Sequence, residues 1–71
     1  MGHRNFASFL NGYRLNYAKS VLADLEQARL PILTIAMDAG FSSLAPFNRA
    51  FKAVEGKTPS EYRALALADQ N

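Results

Sequence analysis

Two glycines, Gly40 and Gly56, interrupt a helical pattern of apolar residues running from Ile32 to Leu65, and they constrain the fold more than any other feature of the chain. Ile32, Leu33, Ile35, Ala36 and Ala39 recur at three- and four-residue intervals up to Gly40. Phe47, Phe51 and Val54 resume that spacing up to Gly56, and Tyr62 and Leu65 continue it behind Thr58-Pro59. Such spacing marks the buried faces of α-helices. A glycine just past the last periodic residue suits a left-handed C-terminal cap, because it has no Cβ to clash there. The pattern predicts a helix, a tight turn, a second helix and a third.

The helix starts are marked as clearly. Leu30-Pro31 opens the first, since proline is tolerated in a first turn, where its missing N–H has no partner to lose. Ser42 or Ser43 is a candidate N-cap for the second helix. Pro46 falls in or next to that helix's first turn, or else delays the start to about residue 46. Thr58-Pro59-Ser60-Glu61 forms a capping box with proline at the first helical position, worth on the order of 1 kcal/mol. Helices are thus expected near residues 31–39, 43–54 and 59–67, with a fraying tail at 68–71.

Upstream, residues 6–26 read as one long helix with two apolar faces. At about 100° per residue, Phe6, Phe9, Leu10, Tyr13 and Tyr17 share one arc, and Leu15, Ala18, Val21, Leu22 and Leu25 share another. The aliphatic arc suits packing on the helices downstream. For the aromatic arc the chain offers no partner, so it either wraps over the same small core or once faced a neighbouring module. Arg14 lies between the arcs, and burial without a partner would be costly; Asp38 and Glu55 are the candidate partners. Met1-Gly2-His3-Arg4 fits a cloning scar or a truncated end as well as a natural terminus, leaving residues 1–5 outside the fold.

Composition removes whole classes of function. With 71 residues and 49% hydrophobic content, there is room for one small core. The absence of cysteine excludes a disulfide framework, a zinc finger and a thiol nucleophile, and the reducing cytoplasm is the expected compartment. No apolar run reaches membrane-spanning length. The net charge of +2 permits a nucleic-acid partner without demanding one. His3 is the single histidine, and the six carboxylates show no paired spacing for acid-base work. No enzyme, no metal and no cofactor is expected.

The second helix of the glycine-punctuated unit separates into faces. Phe47, Phe51 and Val54 point one way, whereas Ala45, Asn48, Arg49 and Lys52 point another. Small, amide and cationic side chains suit a DNA groove, since Asn pairs with adenine and Arg with guanine or phosphate. A solvated surface helix would show the same residues.

The run Ile32, Ile35-Ala36, Gly40-Phe41, Phe47, Phe51-Lys52, Gly56, Thr58-Pro59, Tyr62-Arg63 resembles the C-terminal signature of the arabinose-regulator (AraC/XylS) family of bacterial transcription factors. Phe9-Leu10, Arg14-Leu15, Ala18 and Val21-Leu22 are similar to the linker helix of the same family. The resemblance implies an all-α fold: a homeodomain-like three-helix helix-turn-helix unit over residues 30–67, preceded by a linker helix. It also implies a first helix-turn-helix subdomain and a sensor domain outside this chain, with double-stranded DNA as the ligand and RNA polymerase as a further partner.

Carried across residue by residue, the family's DNA contacts fall on Ser43, Leu44, Ala45, Asn48 and Arg49, with Lys52 nearby. Leu44 and Ala45 depart from the family pattern, in which polar side chains are frequent. An apolar pair would have to read thymine methyl groups, or Leu44 would join the core. The rival function is a helical protein-interaction or self-association module working through Phe6, Phe9, Tyr13 and Tyr17.

Overall fold

The computed structural model describes residues 6–69, and their side chains from residue 9 onward. Expectations for residues 1–5 and 70–71, and for the Phe6 side chain, lie outside the described residues. Every regular element among those described is helical: α1 (Phe6–Leu22), a single 3-10 turn at Leu25–Gln27, α2 (Ile32–Asp38), α3 (Leu44–Glu55) and α4 (Pro59–Ala68). The chain is therefore all-α, with a homeodomain-like helix-turn-helix unit behind a long first helix.

α1 ends three residues short of Leu25, and Asp24 is the reason. Its backbone is extended (φ −86°, ψ 114°), and its carboxylate accepts from the Glu26 N–H at 3.0 Å and from Gln27 Nε2 at 3.2 Å. A short acidic side chain that bonds forward competes with helix continuation. Leu25, expected on the aliphatic arc, is consequently 51% exposed.

α2 is closed by a Schellman arrangement. Gly40 takes φ 103°, its N–H donates to Met37 O at 3.0 Å, and the Phe41 N–H donates to Ala36 O at 3.0 Å. Gly56 closes α3 at φ 79°, with its N–H on Lys52 O. The start of α3 differs from expectation. Ser43 occupies the N-cap position, yet its hydroxyl makes no capping bond. A cap oxygen uses the N–H of the second or third helical residue; the third here is Pro46, which has none, and with Ser43 at φ −160° and ψ 176° the hydroxyl makes no bond to the second, Ala45, either. Thr58 shows the contrast: the third residue of α4 is Glu61, whose N–H reaches Thr58 Oγ1 at 3.2 Å, while Glu61 Oε1 accepts from the Thr58 N–H at 2.9 Å. α4 stays regular to Ala68, and the Asp69 N–H still donates to Leu65 O.

The core is assembled from Leu15, Ala18, Val21 and Leu22 of α1, Ile35, Ala36 and Ala39 at α2, Phe41 in the turn, and Phe47 and Phe51 of α3. A file of aromatic rings crosses it: Phe41 to Phe47 at 5.3 Å, Phe47 to Phe51 at 5.7 Å, and Phe51 to Tyr62 at 5.4 Å between centroids. These tilted and edge-on contacts each add about 0.5–1.5 kcal/mol beyond area burial. Arg63 fastens α4 to the entrance of α2, its Nη1 donating to Leu30 O at 2.6 Å.

Several apolar side chains expected inside are not. Leu33 (49%), Val54 (66%) and Leu65 (60%) are exposed. Arg14 makes no ion pair with Asp38 or Glu55 among the described residues. Its guanidinium instead lies over the Phe41 ring, 5.7 Å from the centroid, while Glu55 is held by Lys19 at 3.1 Å. Half-exposed Arg14 keeps water as well as an aromatic face, so a counter-ion is not required.

Candidate nucleic-acid interface

α3 is held by its inner face and presents its outer one. Phe47 and Phe51 are fully buried, whereas Ala45, Arg49 and Lys52 are exposed and Asn48 is half-buried at the margin. Because Phe47 and Phe51 anchor successive turns of the helix against α1, α2 and α4, side chains on the opposite face have a rigid platform. Such fixed geometry is a precondition for reading base edges.

The six residues singled out from sequence fall on one continuous strip. Ser43 is exposed at the cap with its hydroxyl unused by the helix. Leu44 is 37% exposed and lies outside the core cluster, which excludes full burial there. Ala45 comes next, on the open side. One turn later stand Asn48 and Arg49, and one turn beyond them Lys52.

The folded chain adds neighbours that sequence reasoning missed. Asn48, Arg49, Lys52, Ala53 and Thr58 line one shallow, open hollow. Thr58 is thus both a helix cap and part of this lining. The helical pattern places residue 53 beside residue 49 but carries no information on how α4 returns past it. Ala53 adds only a methyl group to this lining, so no long side chain fills the hollow from that position.

Charge around the strip is positive. Arg49 and Lys52 are exposed cations, and the nearby carboxylates are engaged: Glu55 with Lys19, Glu61 within the capping box. Glu61 is held below the ordinary carboxylate range, first by the Thr58 backbone N–H and then by the Thr58 hydroxyl contact, with Lys52 and Lys57 adding smaller attractions. It therefore stays ionised and occupied at neutral pH. Among the described residues no group of His, Cys, Asp or Glu could hold a metal ion.

A second surface lies on the other side of α1. Phe9 and Tyr13 are 71% and 68% exposed and Tyr17 is 42% exposed, one stripe at four-residue spacing. The aliphatic arc of the same helix is buried, with Leu15 at 2% and Leu22 at 0%. The two-faced character read from the sequence thus holds for the described side chains.

A family model for a helix-turn-helix domain matches residues 2–65. A transcriptional activator of Rhizobium meliloti (strain 1021), RhrA, is 40% identical over 63 residues, a stretch covering 89% of this chain and 20% of the activator. An uncharacterized HTH-type transcriptional regulator of Staphylococcus aureus is 43% identical over 58 residues, or 82% of this chain and 7% of that protein. The chain thus spans a fifth or less of the length of these relatives. No solved structure matches it significantly. The family match, which spans nearly all of the described helices, shows that the chain belongs to the AraC-type helix-turn-helix family.

Proposed function

We infer that this chain binds double-stranded DNA sequence-specifically by laying α3 in the major groove, as the output element of a bacterial regulator working in the cytoplasm. The observation that carries the inference is the outer face of α3: Asn48, Arg49 and Lys52 project from a helix whose opposite face is pinned by Phe47 and Phe51. Arg49 serves as the base-reading guanidinium, Asn48 as an adenine reader and Lys52 as a phosphate contact, with Ser43 near the backbone at the leading end. The aromatic stripe of α1 faces a first helix-turn-helix subdomain in the parent protein, and a sensor domain and RNA polymerase complete its partners. Similarity to a transcriptional activator supports a regulatory output.

A second function is favoured by a different observation. Phe9, Tyr13 and Tyr17 form an exposed aromatic stripe, and stripes of that kind support self-association or capture of a partner helix. Salt separates the two. Groove binding releases counterions, so its affinity falls steeply as salt rises, whereas apolar association is flat or strengthens. Titration of a fluorescent duplex between about 50 and 200 mM salt, where about three phosphate contacts give a slope near −3, tests the DNA function. A flat response, with concentration-dependent dimerisation lost in Tyr13→Ser, would favour the rival.

A further inference from the structure

The leading turn of α3 differs in chemistry from the rest of its outer face, and any part it plays in recognition rests on the proposed seating of α3 in the major groove. Leu44 keeps 37% of its surface in contact with solvent and is not part of the core. Ala45 beside it is exposed, and Pro46 is half-buried. None of the three side chains can donate or accept a hydrogen bond. One turn later the same strip turns polar with Asn48 and Arg49, and it ends in the ammonium of Lys52. Behind the Ser43 cap, the surface offered to DNA is therefore graded along the helix: apolar first, then amide and guanidinium, then a point charge.

A major groove offers a single apolar feature among its base-pair edges, the 5-methyl group of thymine. A leucine set against a cytosine amine or a guanine carbonyl would strip water from a polar edge and return nothing to it. The apolar turn thus favours thymine by contact and disfavours a G·C pair by penalty, two effects of the same sign. Four residues separate Leu44 from Asn48 and Ala45 from Arg49, which at 1.5 Å per residue is about 6 Å along the helix. Base pairs are spaced at about 3.4 Å, so the interval corresponds to roughly two steps for a helix lying along the groove. We propose that Leu44 and Ala45 read thymine methyl groups and that this thymine step stands about two base pairs from the purine met by Arg49 or Asn48.

Deoxyuridine provides the test, because it removes the methyl group and leaves base pairing intact. A preferred duplex is selected from a randomised pool with the full-length protein, and each thymine is then replaced in turn. At one or two adjacent positions affinity should fall about fourfold, the factor expected for one buried methyl, and these positions should lie about two pairs from the purine whose preference is lost in Arg49→Ala. Leu44→Ala should flatten the deoxyuridine response at one of these positions, Ala45→Gly should flatten it at the adjacent one where there are two, and neither should change it elsewhere. The series on the unmodified protein decides the matter even if Leu44→Ala proves unstable. Neutral replacements throughout, with an Arg49-dependent preference intact, overturn the thymine assignment and leave DNA recognition standing. A deoxyuridine effect that persists undiminished in both Leu44→Ala and Ala45→Gly assigns the methyl contact to another side chain and overturns it equally. Failure to select any duplex, with binding indifferent to salt, removes groove recognition and the thymine assignment together.

Discussion

The side chain of Arg14 crosses the turn between α2 and α3 so closely that its Nε lies 2.8 Å from where a β-carbon on Gly40 would stand, with its guanidinium over the neighbouring Phe41 ring. The long first helix is thereby latched to the helix-turn-helix unit at the residue that forms the turn. Gly40 serves two purposes there: it supplies φ 103° for the Schellman closure, and it leaves room for the arginine.

Gly40→Ala should therefore destabilise the fold for two separable reasons. Positive φ costs an L-residue about 1–3 kcal/mol, and the new methyl group also forces Arg14 to move. Because the arginine is flexible, the backbone term dominates. Denaturant titration of the single and double variants checks this: Gly40→Ala should lose about 1–3 kcal/mol, and adding Arg14→Ala should restore only a minor part. Full restoration would mean that the steric contact, not the backbone, sets the requirement for glycine. Gly56 makes a useful control, since a Cβ there meets nothing within 4 Å and any cost must come from φ 79° alone.

Phe47 sits at the centre of the aromatic file, between Phe41 and Phe51. Truncating such a ring to alanine typically costs about 3–5 kcal/mol, and a core of this size rarely supplies more than about 3–5 kcal/mol in total. Phe47→Ala should consequently be largely unfolded at 25 °C, visible as loss of helical circular dichroism. Phe47→Leu, which keeps most of the volume, should retain a cooperative transition at a lowered midpoint. A Phe47→Ala variant with a midpoint like the parent's would show that the ring contributes little to the core.

Much of this architecture is legible in the sequence because its signals are local. Gly40, Gly56 and the Thr58 capping box each declare themselves within four residues, and Phe47 and Phe51 fix the inward direction of α3 through simple periodicity. Axial reach is not local. Val54 and Leu65 have suitable angles but lie where no neighbouring helix covers them, and only the tertiary arrangement of α3 and α4 decides that. Pro46 removes one of the two donors open to a Ser43 cap, a conflict visible in the sequence, whereas the unmade bond to the Ala45 N–H shows only in the fold. Arg14 could not be assigned, because a cation accepts water, a carboxylate or a ring, and sequence alone does not choose among them. The hollow beside Arg49 escaped notice because it needs Ala53 and Thr58 together, from different elements.

The capping box predicts a specific pH dependence. Glu61 is held below its ordinary value by Thr58, so the folded state binds its proton more weakly than the unfolded state does. A depressed carboxylate contributes stability that is complete above the unfolded value, near 4.5, and that is lost as pH falls through the lower folded value. Glu61→Gln should therefore show a flatter stability profile than the parent below about pH 4.5 and the same slope near neutrality, as followed by thermal melts across that range. Thr58→Ala, which removes the hydroxyl that accepts from the Glu61 N–H, should cost about 1 kcal/mol at neutral pH. An unchanged acid limb in Glu61→Gln would show that the carboxylate gains nothing from the cap.

Arg49 and Lys52 should separate specificity from affinity. Arg49 is the one guanidinium on the outer face of α3, and a bidentate contact to guanine is worth about 1–3 kcal/mol of discrimination. Lys52, a turn further along, carries a compact charge suited to phosphate, which adds affinity without sequence information. With the regulator at full length, Arg49→Ala should narrow the preference for a cognate over a scrambled duplex by about thirtyfold, near the middle of that range. Lys52→Ala should weaken both duplexes about equally and reduce the salt slope by about one contact. Because one small subdomain makes few phosphate contacts, the isolated chain should bind in the non-specific range of about 10⁻⁴–10⁻⁶ M, which is why the comparison needs the longer protein. Were Arg49→Ala to leave the preference intact, discrimination would have to come from Asn48 and the apolar turn at Leu44 and Ala45, and Arg49 would be a phosphate contact like Lys52.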